Sequence, residues 1–474
     1  MRVLFVYSLY NIATIDKPLR SPELIQFGIS YISAYLKIHG HSTELVVLSR
    51  LSGNKNQKII DECMERFKPD IVAFTAITSE FEFIRSIAQY IRGSYPELHL
   101  SIGGYHASLN PDGLLEDFDS LCIGEGEIPM LELVRQLEAD RIPSGIPNLW
   151  LKNNGRIEKN PTRPFLQDLD VLPFPDRQIW QRWIQNGPGA RHAVLLGRGC
   201  PFDCTYCCNH ALKKVAQGRY SRFRSPENVI EEIQDIALKY PLNNEIYLEV
   251  ESIGIDKEWA IKLCEKLFEF NKNQAQPFSF GVNLRITPNN NLKDIFPEFK
   301  KANIKFVNIG LESGCAKVRS EVLNRYYSNE DIFEAVKLAK GHGLQVCFLN
   351  MVGLPGETED DFRETIEMNR KCQPDWTSAS IFYPSPGTAL HSFCMEKGLI
   401  GGRLPTEMER SRAVMDLPGF TKRRIEKHYA WFEYNVYKGK RPLAQLLLKT
   451  LRLRIESNPA LFCLYRRTKR LLGR

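Results

Sequence analysis

The sequence predicts an α/β protein in which two parallel β-sheet domains follow one another and a basic helical region closes the chain. Three observations predict it. Apolar, strand-like runs alternate with helix-period segments over the first 140 residues, the alternation resumes near residue 190, and a proline-rich stretch separates the two. A chain of 474 residues has room for two or three domains of ordinary size. With 43% hydrophobic and 25% charged residues it is a soluble globular type, neither disordered nor membrane-spanning. No run approaches the roughly eighteen apolar residues of a membrane span. The opening Met1 to Tyr7 lacks a small-residue cleavage site and leads into Asn11 to Pro22, so it reads as a first strand and not as a signal peptide. Twelve cysteines without a secretory signal argue for a reducing cytosol and against a disulfide framework.

The first half runs in order. Val3 to Tyr7 is a short apolar run, Gln26 to Ile38 has helical periodicity ending at Gly40, Glu44 to Leu48 is apolar, and Lys58 to Phe67 is helical. Asp70 to Thr75, a helix over Ser79 to Arg92, Leu98 to Ile102, a helix near Asp112 to Asp117, and Ser120 to Ile123 follow. Such alternation implies a parallel sheet covered on both faces, which binds ligands at the carboxyl ends of its strands. Those ends carry Thr75, Thr78 and Ser79; then Gly103, Gly104 and His106; then Gly124, Glu125, Gly126 and Glu127. Glycine admits a flat ligand close to the backbone, and N–H groups at helix starts receive polar substituents. Glycine-rich turns after strands are also ordinary structure, and both readings stand at this point.

The connector, from about Pro143 to Pro188, is rich in proline (Pro161, Pro164, Pro173, Pro175) and reads as extended, with a small strand pair around Leu149 to Leu151. The second alternating unit starts at Ala193 to Leu196. Its strands are Glu245–Val250, Phe278–Ile286, Phe306–Leu311, Val346–Val352 and Thr377–Tyr383. Helices near Pro226–Tyr240, Lys257–Phe270, Asn329–His342 and Glu359–Lys371 separate them, which makes a partial parallel barrel. Barrels of this kind place their active sites at the strand C-termini.

Directly after the first of these strands comes Gly197-Arg-Gly-Cys200-Pro-Phe-Asp-Cys204-Thr-Tyr-Cys207-Cys208. Three thiolates at Cys-x3-Cys-x2-Cys spacing reach three irons of one cubane cluster and leave the fourth iron open, as a bidentate ligand requires. The competing readings are a chance cluster of cysteines and zinc, which normally takes four closed protein ligands, usually in paired Cys-x2-Cys groups. Cys208 could serve as a fourth ligand, but its adjacency to Cys207 makes simultaneous ligation awkward.

On Cys200, Cys204, Tyr206 and Cys207 the sequence resembles the radical S-adenosylmethionine (SAM) superfamily, whose signature is Cys-x3-Cys-x-aromatic-Cys. The likeness continues through Arg285, Gly310-Leu-Glu-Ser-Gly314 and Gly353-Leu-Pro-Gly-Glu-Thr358. It implies a [4Fe–4S] cluster on Cys200, Cys204 and Cys207. It further implies SAM contacts from Phe202, Tyr206, Arg285, Glu312 and Ser313, and from Gly353, Gly356 and Glu357 on the adenine side. The family's usual motif for the amino group of SAM is replaced by Leu248-Glu-Val-Glu-Ser252, in which Glu249 or Glu251 can pair an ammonium.

The first half is similar to the cobalamin-binding domain found fused to this superfamily. The resemblance implies cobalamin contacts at Thr75, Thr78, Ser79, Gly103, Gly104, His106, Gly124, Glu125, Gly126 and Glu127. The Asp-x-His-x-x-Gly motif that gives other cobalamin proteins a lower axial histidine is absent, so cobalt is expected without that ligand, with His106 as an alternative contact. The implied architecture is a Rossmann-like (flavodoxin-like) cobalamin-binding domain at 1–142, a linker at 143–189, a partial (β/α)6 TIM-type radical SAM barrel at 190–402, and a basic helical region at 403–474.

The resemblance implies reductive cleavage of SAM to a 5′-deoxyadenosyl radical, followed by methylation of an unactivated carbon of a natural-product or lipid-like substrate. Rearrangement, cyclisation or oxidation without methylation is the alternative. Tyr383, before Pro384, is placed to face substrate or to pack a loop. A non-catalytic cobalamin or redox sensor is a further alternative, opposed by the full set of Arg285, Glu312 and Glu357 beside the cysteines; a zinc-binding interaction protein is more distant.

Charge is uneven. Residues 422–474 hold fifteen lysines and arginines against three glutamates, a local balance of +12 that leaves the preceding residues at −5 within a total of +7. Lys422 to Tyr437 is aromatic and basic, Pro442 to Arg454 alternates leucines with cations, and Arg466 to Arg470 is a basic run. A helical cap with a solvated basic face is one reading, and peripheral contact with an anionic membrane is the other. Nucleic acid ranks last for want of a base-reading motif. The expected partners are a small-molecule or lipid-like substrate and an electron donor such as flavodoxin or ferredoxin. The expected location is the cytoplasm, with the inner membrane face as the site of any peripheral contact.

Overall fold

The computed structural model describes the chain except for residues 10–11, 13, 15, 186–189, 289–290, 402–403, 405–408, 458–460 and 462–474. The basic run Arg466 to Arg470 lies outside the described residues. The rest forms two compact units. One comprises Met1–Phe202, Cys208–Val250 and Glu269–Ser279, and the other Asp203–Cys207, Glu251–Phe268 and Phe280 onward. No helix among the described residues is long and apolar enough to cross a membrane.

In the first unit, β1 (Arg2–Ser8), β2 (Ser42–Leu48), β3 (Ile71–Thr75), β4 (His99–Gly103) and β5 (Ser120–Cys122) are parallel. The chain crosses between them through α1 (Phe27–Ile38), α2 (Lys55–Phe67), α3 (Phe81–Ser94) and α4 (Tyr105–Leu109), and α5 (Glu127–Glu138) follows β5. The order β2-β1-β3-β4-β5 is the flavodoxin-like one, with its switch point between β1 and β3. Val3, Leu4, Val6, Val72 and Leu100 are wholly buried, as strands covered on both faces require.

Two expectations change here. No helix spans Asp112 to Asp117. Pro111 and the left-handed Gly113 (φ +80°) interrupt the chain, leaving α4 before them and a single 3₁₀ turn, Leu114–Glu116, after. The strand pair of the connector is not free-standing either. β6 (Leu149–Asn153) and β7 (Arg156–Lys159) join the first sheet antiparallel to β5, turning at Asn154-Gly155, both at positive φ. Further along, the connector is pinned by buried Trp180, which donates to Ser30 Oγ (2.8 Å), and Trp183, which donates to the Leu45 carbonyl (3.0 Å).

The same unit continues through β8 (His192–Leu195), β9 (Gly197–Arg198), α6 (Asn209–Leu212), β10 (Arg222–Phe223), α7 (Pro226–Lys239) and β11 (Glu245–Glu249). β8 pairs in parallel with β11, and β9 antiparallel with β10. α7 starts where Ser225 Oγ accepts the Asn228 N–H (3.1 Å) and Pro226 fills the first position.

After α8 (Lys257–Lys272), the second unit sets β12 (Ser279–Leu284), β13 (Ile304–Glu312), β14 (Gln345–Val352) and β15 (Trp376–Ile381) side by side in parallel. α9 (Leu292–Lys301), α10 (Asn329–Gly341) and α11 (Glu359–Cys372) connect them. β8 and β11 are thus parallel within the first unit, and β12 to β15 are parallel within the second. α9 falls where the sequence pattern predicts no helix. Pro297 lies inside it, and buried Leu292, Ile295, Phe296 and Phe299 hold it in place. α12 (Ala389–Glu396), α13 (Lys422–Tyr437) and α14 (Leu443–Glu456) complete the unit. Ile425, Phe432 and Val436 of α13 bury with Leu354, Phe362 and Ile381, so the helical-cap reading describes this helix.

Candidate active site

The three loops at the carboxyl edge of β3, β4 and β5 are bonded to one another. His106 N–H donates to the Ala76 carbonyl (3.0 Å) and Ala76 N–H to the Gly103 carbonyl (3.2 Å). Gly104 sits at φ +93°, and a Cβ there would lie 2.7 Å from Thr75 Oγ1, so only glycine lets these two loops touch. The His106 ring stacks on Phe81 (centroids 4.1 Å apart) with Nδ1 3.2 Å from Thr78 Oγ1, and burial pushes its pKa down to about 4. The Ser79 carbonyl accepts from Arg50. Gly124 N–H donates to Ser108 Oγ (3.0 Å), and a Cβ at Gly126 would lie 2.8 Å from Ile32 of α1.

Glu125 and Glu127 meet arginines. Glu125 accepts from Arg198 Nη1 (3.2 Å), from both terminal nitrogens of Arg222 (2.9 and 3.2 Å) and from Leu166 N–H (2.9 Å). Arg198 also donates to Glu127. Burial works to raise the Glu125 pKa, but Arg198 and Arg222 outweigh it and hold the carboxyl below its usual range. For Arg198, burial opposes the charge and the two carboxylates reverse the effect, raising its pKa. The close pairing of β9 and β10 depends on glycine. A Cβ at Gly197 would lie 2.3 Å from the Arg222 carbonyl, and one at Gly199 2.2 Å from that of Tyr220. Also in this unit, Cys200, Phe202, Cys208 and Glu249 are half-buried.

In the second unit, Asp203 to Cys207 is moored at Asp203 and at Thr205. Thr205 Oγ1 donates to the Val322 carbonyl (2.5 Å), Asn324 Nδ2 to the Asp203 carbonyl (2.8 Å), and Leu390 N–H to the Thr205 carbonyl (3.0 Å). Cys207 N–H returns to the Cys204 carbonyl (3.1 Å). Arg285, whose N–H donates to Ser252 Oγ (2.9 Å), aims its guanidinium at the sulfur of buried Cys204. Tyr206 donates to Glu312 Oε1 (3.0 Å), and buried Arg325 donates to the same oxygen (3.2 Å) and to the Gly310 carbonyl (2.5 Å). Burial pushes the Tyr206 pKa well up, which keeps its hydroxyl a donor. Glu312 occupies left-handed backbone (φ +61°) beside a register shift in the β13–β14 pairing, an uncommon conformation for a residue with a side chain. A Cβ at Gly310 would lie 2.5 Å from Glu312 Oε1.

Other predicted residues are engaged elsewhere. Ser313 is wholly buried and its Oγ accepts the Cys315 N–H (3.2 Å), while Arg319 binds the carbonyls of Ser313 (3.0 Å) and Gly314 (2.8 Å). Glu357 reaches back within its own turn, where Oε2 accepts from Gly353 N–H (2.6 Å) and Leu354 N–H (3.2 Å). Its burial pushes the carboxyl up to about 8. Gly353 (φ +81°) and Gly356 (φ +79°) supply the left-handed turns. Glu251 is exposed beyond the end of β11, and Tyr383 is buried just past β15. The structure thus gathers Cys204, Tyr206, Arg285 and Glu312, and turns Ser313 and Glu357 to holding their own loops. Arg325, Arg198 and Arg222 are site residues that sequence reasoning misses. The one local signal is Arg198, set between two glycines and two residues before Cys200.

The donor set fits the groups the sequence implies. A guanidinium at one cysteine sulfur suits an anionic iron–sulfur cluster. A carboxylate oriented by Tyr206 and Arg325 suits hydroxyl donors of a nucleoside. Glycine-lined loops at a sheet's switch point suit a flat ligand lying against backbone. Residues 194–368 match the family model of the Radical SAM superfamily, and residues 20–134 match that of the B12 binding domain. An uncharacterized methyltransferase of Pyrococcus horikoshii is 25% identical over 84% of this chain and 85% of its own. An anaerobic magnesium-protoporphyrin IX monomethyl ester cyclase of Rubrivivax gelatinosus is 27% identical over 81% of this chain and 68% of its own. Among solved structures, the radical S-adenosylmethionine methyltransferase TsrM from Kitasatospora setae, with cobalamin and a [4Fe–4S] cluster bound, superposes with a TM-score of 0.65 at 17% identity. That match covers 84% of this chain and 75% of TsrM.

Proposed function

The chain belongs to the radical SAM superfamily and carries a B12 binding domain, and from that premise we propose that it is a cobalamin-dependent methyltransferase acting on an unactivated carbon. When bound, the cluster and SAM supply a 5′-deoxyadenosyl radical, and cobalamin supplies the methyl group. The chain's own residues bind and orient. Cys200, Cys204 and Cys207 hold three irons, and Arg285 holds Cys204. Glu312, fixed by Tyr206 and Arg325, receives ribose hydroxyls. Glu249 or Glu251 pairs the SAM ammonium; Phe202 and the backbone of the Gly353 and Gly356 turn line the rest, while Ser313 and Glu357 brace their loops from behind. Cobalamin rests on Thr75, Thr78, Ser79, Gly103, Gly104, His106, Gly124 and Gly126. Glu125 and Glu127 serve it through backbone, since their carboxylates are taken by arginine. Tyr383 faces substrate.

The observation that carries this reading is the pair of contacts Cys204–Arg285 and Tyr206–Glu312–Arg325, which tie the cysteine loop to Arg285 and to the acid of β13. The test is anaerobic reconstitution with iron, sulfide and hydroxocobalamin, then turnover with SAM and a reductant. Methyl transfer predicts about four irons per chain, one equivalent of cobalt, and both 5′-deoxyadenosine and S-adenosylhomocysteine. With candidate substrates present, 5′-deoxyadenosine alone moves the assignment to cyclisation, rearrangement or oxidation, a reading favoured by the cyclase relative. No iron overturns both.

The substrate is a small molecule, natural-product or lipid-like, and flavodoxin or ferredoxin delivers the electron. The domains are 1–142 for cobalamin, 143–189 as linker, 190–402 as radical SAM core and 403–474 as basic helical region. The protein is cytoplasmic, with peripheral contact at the inner membrane face through α14. There Leu443, Leu447, Leu448 and Leu451 are exposed while Leu446 and Thr450 are buried, which makes an apolar ridge among basic residues. Replacing Leu447, Leu448 and Leu451 by serine is expected to weaken partitioning onto anionic vesicles about tenfold; unchanged partitioning sinks the membrane contact.

A further inference from the structure

Arg198 stands two residues before Cys200, and its guanidinium is gripped by Glu125 and Glu127 from the loop after β5. The grip is built. Glu125 is bonded in turn by Arg222 and by Leu166 N–H, and Arg222 donates to the Leu166 carbonyl (2.6 Å). Arg198 lies over the Tyr31 ring of α1 (5.1 Å), and Gly197 and Gly199 press its strand against Arg222 and Tyr220. Glu127 opens α5, so its carboxylate is fixed to a helix as well as to Arg198. Two carboxylates, two guanidiniums and a backbone amide thus form one closed network, and its members have few other arrangements available to them. The bidentate fork of arginine makes the geometry specific, where a lysine would supply only a point charge.

We infer that Arg198 is a positioning residue that couples the two cofactors, so that occupancy of the cobalamin loop at Gly124–Glu127 is felt at the cluster through the peptide leading into Cys200. The inference rests on the reading that this chain binds both cofactors. A ligand seated on the backbone of Gly124 and Gly126 shifts Glu125 and Glu127 together. Arg198 follows them because both carboxylates hold its guanidinium. The effect reaches Cys200 across two peptide bonds, with Gly199 the one residue between.

The test uses the full-length protein reconstituted with iron and sulfide, with and without hydroxocobalamin. The readouts are iron and cobalt content, and the midpoint potential and electron paramagnetic resonance line shape of the reduced cluster. In the wild-type protein, cobalamin is expected to shift both properties of the cluster. Glu125→Gln keeps shape and removes charge, and Arg198→Lys keeps charge and removes the fork. Each is expected to retain full iron and cobalt and to lose the cobalamin-induced shift. Arg163→Gln, which breaks a separate pair with Glu132 of α5 and leaves Arg198 untouched, is expected to keep the shift. Full loading with a wild-type shift in both Glu125→Gln and Arg198→Lys overturns the coupling alone. So does a fully loaded wild-type protein whose cluster ignores cobalamin. A wild-type protein that takes up neither metal overturns the cofactor reading together with it.

Discussion

Two neighbouring strands of the second unit, β13 and β14, each lead into an acid beside glycines, and the two acids are used in opposite ways. Glu312 is half-buried, held by Tyr206 and by the cation of Arg325, with its backbone in the left-handed region. Glu357 is wholly enclosed, meets no cation in its turn, and accepts two N–H groups of that turn. Glu312 is offered to a ligand by the two donors that hold it, whereas Glu357, enclosed with amides alone, has its carboxyl pKa pushed up to about 8 by burial. Both acids belong to motifs that read as cofactor-binding. Only Glu312 is placed with the cysteine loop.

The largest effect is expected at Arg325. Arg325→Ala leaves Glu312 and Tyr206 without their buried cation and is expected to destabilise the protein by about 3–5 kcal/mol, read from urea unfolding. A loss below 1 kcal/mol would mean that the pair is not the support of that loop.

Glu357 sharpens the contrast through pH. Its folded pKa of about 8 lies above the ordinary carboxyl value of 4.5, so between these values the unfolded chain releases a proton that the folded chain keeps. Stability from this group is therefore full below the unfolded value, falls as pH rises, and levels off past pH 8. Wild type should lose roughly 2–4 kcal/mol relative to Glu357→Gln between pH 5 and pH 8. Parallel unfolding curves for the two proteins across that range would show that the carboxyl ionises normally.

Ligand binding separates the acids directly. Glu312→Gln should weaken SAM binding to the reconstituted protein by about 1.5–3 kcal/mol, and Glu357→Gln by less than about 0.5 kcal/mol, in calorimetric titration. Equal losses would erase the distinction.

The smallest effects concern the flanking glycines. Gly310→Ala drives a Cβ toward Glu312 Oε1 and is expected to cost about 1–3 kcal/mol. Gly356→Ala meets nothing within 4 Å and bears only the left-handed strain, about 1 kcal/mol.

By itself the sequence determined the periodic and the covalent. Strand and helix alternation and the spacing of Cys200, Cys204 and Cys207 are local properties, fixed by side-chain period and by chain reach. Folding alone decided which polar groups meet. Arg325 lies thirteen residues beyond Glu312, and Arg198 lies seventy-three beyond Glu125, so neither pairing leaves a trace in spacing. Pro297 hid α9, and the short β5 gave no hint that β6 would extend its sheet, because burial of Leu149 and Leu151 against β5 is what holds that hairpin. Motif residues look alike in sequence whether they bind a ligand or brace a turn. The difference between Glu312 and Glu357 is burial and the charge of a neighbour, and only the tertiary structure supplies either.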